Sequence, residues 1–218
     1  MFKNIITSIK ENGIRSTFKS IFFKLTGIKL KKELRESKLA HQYLDGLCGI
    51  EIGGSAHNPF GLNTRNVDNT DRMDTVYKLE EIQICGKALK VDIVAPGDVL
   101  PLPDKSVDFV ISSHVIEHFF DPIKALKEWQ RVATKYIFII FPNKERTFDK
   151  HRPLTPVEEL IDRHEGRKVN NGETDDHHSV WVLENFMQLM HYMKFNVVAI
   201  EDPDKKVGNG TAIVIKLD

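Results

Sequence analysis

Nine histidines are spread over 218 residues, and several stand beside carboxylates. His114 and His118 fall close together in His114-Val115-Ile116-Glu117-His118. Asp149-Lys150-His151-Arg152 and Asp175-Asp176-His177-His178 each set an acid next to an imidazole. An imidazole with an orienting carboxylate is a general base suited to neutral pH. The same residue types can hold a divalent cation, although their spacing follows no recognised ligand signature. His114, His151, His177 and His178 are therefore the candidate catalytic residues; for His118 a capping or core role competes with a chemical one. Lys144, Arg146 and Arg152 form a basic cluster that would suit a phosphate-bearing ligand or a solvated face.

A second feature can bring a ligand close to the backbone. Leu47-Cys48-Gly49-Ile50-Glu51-Ile52 is a mainly apolar run that ends in Gly53-Gly54-Ser55. Glycines there allow an approach that a Cβ would block. The run lacks the later glycines of a G-x-G-x-x-G nicotinamide fingerprint, since Ala56, His57 and Asn58 occupy that region. Asp68 follows Glu51 by 17 positions, after another apolar stretch. Its carboxylate could accept from both hydroxyls of a ribose, or it could simply open a turn.

Elements of two kinds must position these groups. Short β-branched or aromatic runs at 47–52, 65–68, 89–94, 107–112 and 136–141 read as strands of a parallel sheet covered on both faces. Asp121-Pro122 reads as an N-cap with proline at N1, followed by the stripe Ile123, Leu126, Trp129. Thr155-Pro156-Val157-Glu158 reads as a capping box whose helix stops at Gly166. A helix is expected over 181–193, and a polar loop over 166–179. Strands at 195–200 and 211–217 are joined too closely for a crossover helix, so they should pair antiparallel.

Lys and Arg balance Asp and Glu at 31 each, which gives no reason to expect nucleic acid. The charge is uneven, however: residues 1–38 carry a net +7. Phe2, Ile5, Ile9, Phe18, Ile21 and Phe22 recur there at helical spacing among lysines, broken by Gly13 and Gly27. Two short basic amphipathic helices are expected, forming a cap over 1–40 or touching an anionic membrane surface, ahead of a domain over 41–218. Cys48 and Cys85 cannot build a disulfide framework, and Cys48 is expected as a buried thiol in the first strand. No apolar run approaches spanning length and no signal-peptide core is present, so a cytoplasmic location is the default expectation.

Glu51-Ile-Gly-Gly-Ser, Val67-Asp68, Leu100-Pro101-Leu102-Pro103-Asp104 running into Val107-Asp108-Phe109-Val110, and His114-Val115-Ile116-Glu117-His118 together resemble class I S-adenosylmethionine (SAM)-dependent methyltransferases. The nearest likeness is to small methyltransferases encoded with bacterial surface-polysaccharide genes, over residues 47–142. The resemblance implies a three-layer Rossmann-like α/β fold, with a mostly parallel seven-stranded sheet whose last strand is antiparallel. It implies SAM as cofactor, bound by Glu51, Gly53, Gly54 and Ser55 along the methionine portion and by Asp68 at the ribose. Ser113 and His114 would face the sulfonium. The acid that often precedes the Leu-Pro pair is replaced by Pro96, so the adenine would meet backbone groups of Gly97 and Asp98. The implied reaction is O-methylation of a sugar or sugar-linked small-molecule or glycan-precursor acceptor. A phosphate-type acceptor, or a non-catalytic SAM-binding module of a glycan-assembly complex, are the alternatives.

Overall fold

The computed structural model describes residues 36–55, 59–170, 172 and 177–218. The two helices expected before residue 30 lie outside these. The first described helix, α1 (Lys38–Leu44), is capped by Ser37, whose hydroxyl accepts from the Ala40 amide. It spans the boundary expected at 40/41 and buries Ala40 and Leu44 against the sheet.

Seven strands follow in the spatial order β3-β2-β1-β4-β5-β7-β6. They are β1 (Gly49–Ile52), β2 (Thr64–Asp68), β3 (Ile93–Val94), β4 (Val107–Ser113), β5 (Ala133–Pro142), β6 (Asn196–Glu201) and β7 (Gly210–Lys216). Pairs from β3 through β5 are parallel, and β7 runs antiparallel to both β5 and β6, as the short connection between the last strands requires. The strand order reverses between β1 and β4, which opens a crevice beyond their carboxyl ends.

Period-two alternation divides the core. Ile137, Ile139 and Phe141 of β5 join Ile213 and Ile215 of β7 on one face. Phe138 and Ile140 join Ala212 and Val214 on the other. The first face is covered by α3 (Pro122–Val132), α4 (Val157–His164) and α5 (Leu183–Tyr192). Helix α3 starts as expected: Asp121 accepts from the Lys124 amide at 2.9 Å, with Pro122 in the first turn. Its Trp129 is fully buried and its indole N–H donates to the Gly97 carbonyl at 2.7 Å, fixing the loop after β3.

Several expectations fail for local reasons. Helix α2 (Val76–Cys85) has no foreseen counterpart because its pattern is inverted: Lys78 and Glu81 are buried while Val76, Leu79 and Ile82 are exposed. The strand at 89–94 shrinks to two residues. Asp92 instead takes the Asn66 amide on its carboxylate at 2.7 Å, and the Lys90 carbonyl takes the Asn66 side chain. Cys48 is exposed and precedes β1, because the Asp108 carboxylate captures its amide at 3.0 Å. Thr155 does not cap α4; its hydroxyl accepts from the Val180 amide at 2.9 Å, and Pro156 sits at the N-cap. Trp181 precedes α5 and bridges Asn143 at the end of β5.

Candidate active site

The cofactor half of the site grows from the turn after β1. Gly53 has φ +65°, a left-handed conformation that suits glycine, and a Cβ there would stand 2.7 Å from a Val115 methyl. At Gly54 a Cβ would overlap the Asn66 side-chain oxygen, which accepts the Gly54 amide at 3.2 Å. The turn is held from below by Lys78. Its ammonium, buried on α2, donates to the Gly54 carbonyl at 2.9 Å, the Glu81 carboxylate at 2.9 Å and the Leu89 carbonyl at 3.0 Å. The only sequence signal for this anchor is the Lys78-x-x-Glu81 spacing, with both charges on one helical face.

A cleft of about 190 Å³ opens above the turn. Gly53, Asp68 and Asn69 line one side, and Pro96, Gly97, Val115 and Phe119 the other. Asp68 ends β2 and accepts from the Asn69 amide at 2.7 Å; burial pushes its carboxyl above the usual range. A Cβ at Gly97 would meet Ile52 at 2.7 Å and Phe119 at 2.9 Å, so this wall lies against the cleft only as glycine. Gly53, Asp68 and Gly97 thus converge on one space.

Other expected cofactor residues stand elsewhere. Asp98 forms an ion pair with Lys124 at 2.8 Å and is not among the cleft's lining. Ser55 donates to the Tyr77 carbonyl, and Ser113 is buried at the end of β4. Glu51 lies on the opposite face of β1 from Ile50 and Ile52, where Thr64 donates to it at 3.3 Å. Burial pushes its carboxyl up to about 8 despite the nearby Lys206, whose ammonium burial pushes down.

Next to the cleft lies a cluster of imidazoles around one acid, Glu117, to which the sequence reading assigned no role. Glu117, in the 3-10 turn Ile116–His118 after β4, is fully buried, and neither carboxylate oxygen receives a hydrogen bond. Burial pushes its carboxyl up to about 8, with Asp149 adding to the rise. Imidazole nitrogens stand around its Oε1: His114 Nδ1 at 3.7 Å, His118 Nε2 at 3.9 Å and His177 Nε2 at 3.9 Å. His177 Nδ1 lies 2.5 Å from the Asp149 carboxylate, whose other oxygen takes Arg152 at 2.7 Å. His114 holds φ +54° directly after β4, a conformation rare for side-chain-bearing residues, with its amide on the Ile140 carbonyl.

The acid–imidazole pairs therefore differ from those suggested by sequence adjacency. Asp149 partners His177, 28 positions away, and His151 is exposed outside the cluster. The His178 ring lies edge-to-face with Phe120, centroids 5.7 Å apart. Asp175 and Asp176 lie outside the described residues. The basic cluster also resolves into internal pairs, since Arg146 bonds Asp202, Gly210 and Thr211, while Arg152 bonds Asp149 and the His177 carbonyl.

Comparison with known proteins bears on this arrangement. Residues 44–140 match a family model described as a methyltransferase domain. Ajmaline N-methyltransferase of Rauvolfia serpentina is 28% identical over 123 residues, which are 56% of this chain and 40% of that enzyme. The chain thus spans less than half the length of that relative. A SAM-dependent methyltransferase of Aquifex aeolicus superposes with a TM-score of 0.51 at 18% identity, covering 85% of this chain and 90% of its own. The [4+2]-cyclase SpnF does so at 0.50 and 11%, covering 83% and 79%. The match over residues 44–140 marks that stretch as a methyltransferase domain, and its sheet is of the kind shared with SAM-dependent methyltransferases, which fits SAM as its cofactor.

Two measurements check this construction. Lys78→Met strands the buried Glu81 and should cost roughly 3–5 kcal/mol in urea unfolding, whereas Lys78→Met/Glu81→Leu should recover most of that loss. Glu51 should make stability fall as pH rises, because its folded carboxyl keeps a proton up to about 8 while the unfolded chain loses it near the ordinary value of 4.5. No penalty is expected below that lower value. The slope from Glu51 between the two should approach about 1.4 kcal/mol per pH unit, and Glu51→Gln should remove that share in unfolding curves taken at several pH values.

Proposed function

We propose that this protein transfers the methyl group of SAM to a hydroxyl of a sugar or sugar-linked acceptor. The observation that carries the reading is the convergence of three imidazoles on the buried Glu117, on the segment whose Val115 and Phe119 wall the cofactor cleft. An alcohol needs its proton removed as the carbon–oxygen bond forms, and a cluster of imidazoles is suited to accept it. His114 is the base in this reading, being next to Val115 and oriented by Glu117. The transfer itself is an in-line displacement at the sulfonium carbon, governed by orientation.

Phe148 supports the choice of a carbohydrate. Its ring is 75% exposed and lies 4.6 Å from the His177 ring, leaving an apolar face beside the imidazole cluster. The C–H face of a pyranose stacks on such a ring while its hydroxyls reach the polar groups. The likeness to methyltransferases of surface-polysaccharide gene clusters points the same way, toward a capsule or lipopolysaccharide precursor met in the cytoplasm. Among the described residues no helix is long and apolar enough to cross a membrane. The basic stretch before residue 36 would give peripheral contact with an anionic surface. N-methylation is the second reading, favoured by the ajmaline enzyme's name.

Incubation with labelled SAM and a panel of nucleotide sugars, glycan fragments and amines decides between these readings. Label on a carbohydrate oxygen supports the first; label confined to amines rejects it. His114→Ala should lower kcat about 100-fold or more while S-adenosylhomocysteine binds with unchanged affinity. His151→Ala, in the exposed turn, should stay within about threefold of the parent. Phe148→Ala should raise the acceptor KM with a smaller change in kcat, which initial-rate kinetics will separate.

A further inference from the structure

We propose that Glu117, His118 and His177 form a binding site for a divalent cation of the zinc, cobalt or manganese type. One ligand atom from each residue lies within 4.8 Å of the other two. A cation about 2.1 Å from each ligand in tetrahedral geometry needs the ligands about 3.4 Å apart. The Glu117 Oε1 to Nε2 distances are both 3.9 Å, so closing on a cation takes movements of about half an ångström for these pairs.

The independent observation is Glu117 itself. It has no exposed surface, both oxygens lack a hydrogen-bond donor, and Oε1 stands within 3.9 Å of the imidazoles. A buried carboxylate in that state demands a positive partner. The outer shell has the form that metal-binding histidines use. Asp149 takes the Nδ1 side of His177 at 2.5 Å, which turns the Nε2 lone pair toward Glu117. Arg152 fixes Asp149 at 2.7 Å and the His177 carbonyl at 2.6 Å, so His177 is held through both its ring and its backbone. Two imidazoles with one carboxylate favour a borderline cation over magnesium, which prefers oxygen.

The site's use in the reaction rests on methyl transfer to a hydroxyl; its existence does not. In that use, a cation with an open position would lower the pKa of the acceptor hydroxyl. The hydroxyl proton passes to His114 as the O–CH3 bond forms. The CH3–S bond breaks, and S-adenosylhomocysteine leaves as a neutral thioether.

The test uses the full chain, stripped with chelator and titrated with Zn2+ against a chromophoric competitor, without SAM or acceptor. One equivalent of Zn2+ should bind, and Co2+ should give the intense visible absorption of a low-coordinate site. His118→Ala and His177→Ala should each weaken Zn2+ at least tenfold, and Asp149→Asn should weaken it about 10- to 100-fold through the outer shell. His151→Ala should not change it. S-adenosylhomocysteine affinity, measured on every variant, establishes that each is folded. A parent isotherm indistinguishable from that of folded His118→Ala/His177→Ala overturns the site. Zn2+ binding in a protein that methylates only amines keeps the site and rejects the hydroxyl reading, so the two fail separately.

Discussion

A carboxylate with no exposed surface and no hydrogen-bond donor on either oxygen has to be balanced by its surroundings, and at Glu117 these are imidazoles from two parts of the chain. The same residue's backbone carbonyl accepts the amides of His178 at 2.8 Å and Ser179 at 3.2 Å. That pair of bonds draws the segment after residue 176 across the end of β4 and brings His177 into range. Arg152 and Arg163 then take the carbonyls of His177 and His178, so both of these acceptors are paired. The neighbours of Glu117 face the other way: Val115 blocks any side chain at Gly53, and Phe119 blocks one at Gly97. One short segment therefore sets the spacing between the cofactor turn and the imidazole cluster, which is the quantity that methyl transfer depends on most.

The far side of the sheet carries a different load. Among the described residues no helix lies between β1 and β2, and Phe60 packs over Phe138 there, with centroids 5.9 Å apart. Lys206 reaches in from the β6–β7 connection to lie over the Phe60 ring at 4.4 Å and to bond the Pro59 carbonyl. With Lys78, Glu81 and the protonated Glu51 it makes a buried layer of ionisable groups beneath the glycine turn. Such a layer contributes little net stability compared with apolar packing, but a wrong arrangement leaves an uncompensated charge. It restricts the turn to the geometry in which the Gly54 carbonyl meets Lys78.

What could be read from the residues was whatever local pattern determines. The β5 run Tyr136-Ile137-Phe138-Ile139-Ile140-Phe141 is buried on both faces, and such a run has few alternatives to a central strand. Asp121-Pro122 states a helix start in covalent terms, and it forms as read. The cofactor turn was legible for the same reason, since Gly53 needs a left-handed conformation and Gly97 a close contact. The Thr155 cap failed because a distant amide, that of Val180, competed for its hydroxyl. Helix α2 was invisible because its buried face is charged, which inverts the periodic signal. In the acceptor half, sequence adjacency suggested Asp149 with His151 and missed Glu117. Pairings across 28 and 60 positions are made by the sheet's topology, and no local rule encodes them.

A shared fold leaves the chemistry open, since a [4+2]-cyclase has this sheet as well. What distinguishes one such protein from another is the set of side chains presented beyond the carboxyl ends of the strands, and here that set is rich in proton-exchanging groups. Three imidazoles and two acids around a single point can store, pass or replace a proton, and an acceptor that ionises readily would need none of this. An acceptor hydroxyl, whose proton is held tightly in water, would need all of it. The exposed ring of Phe148 borders that point on the solvent side, while the buried Glu117 closes it from within. Apolar platform outside and proton-handling groups inside is the order in which a sugar would meet them: carbon face first, hydroxyl last.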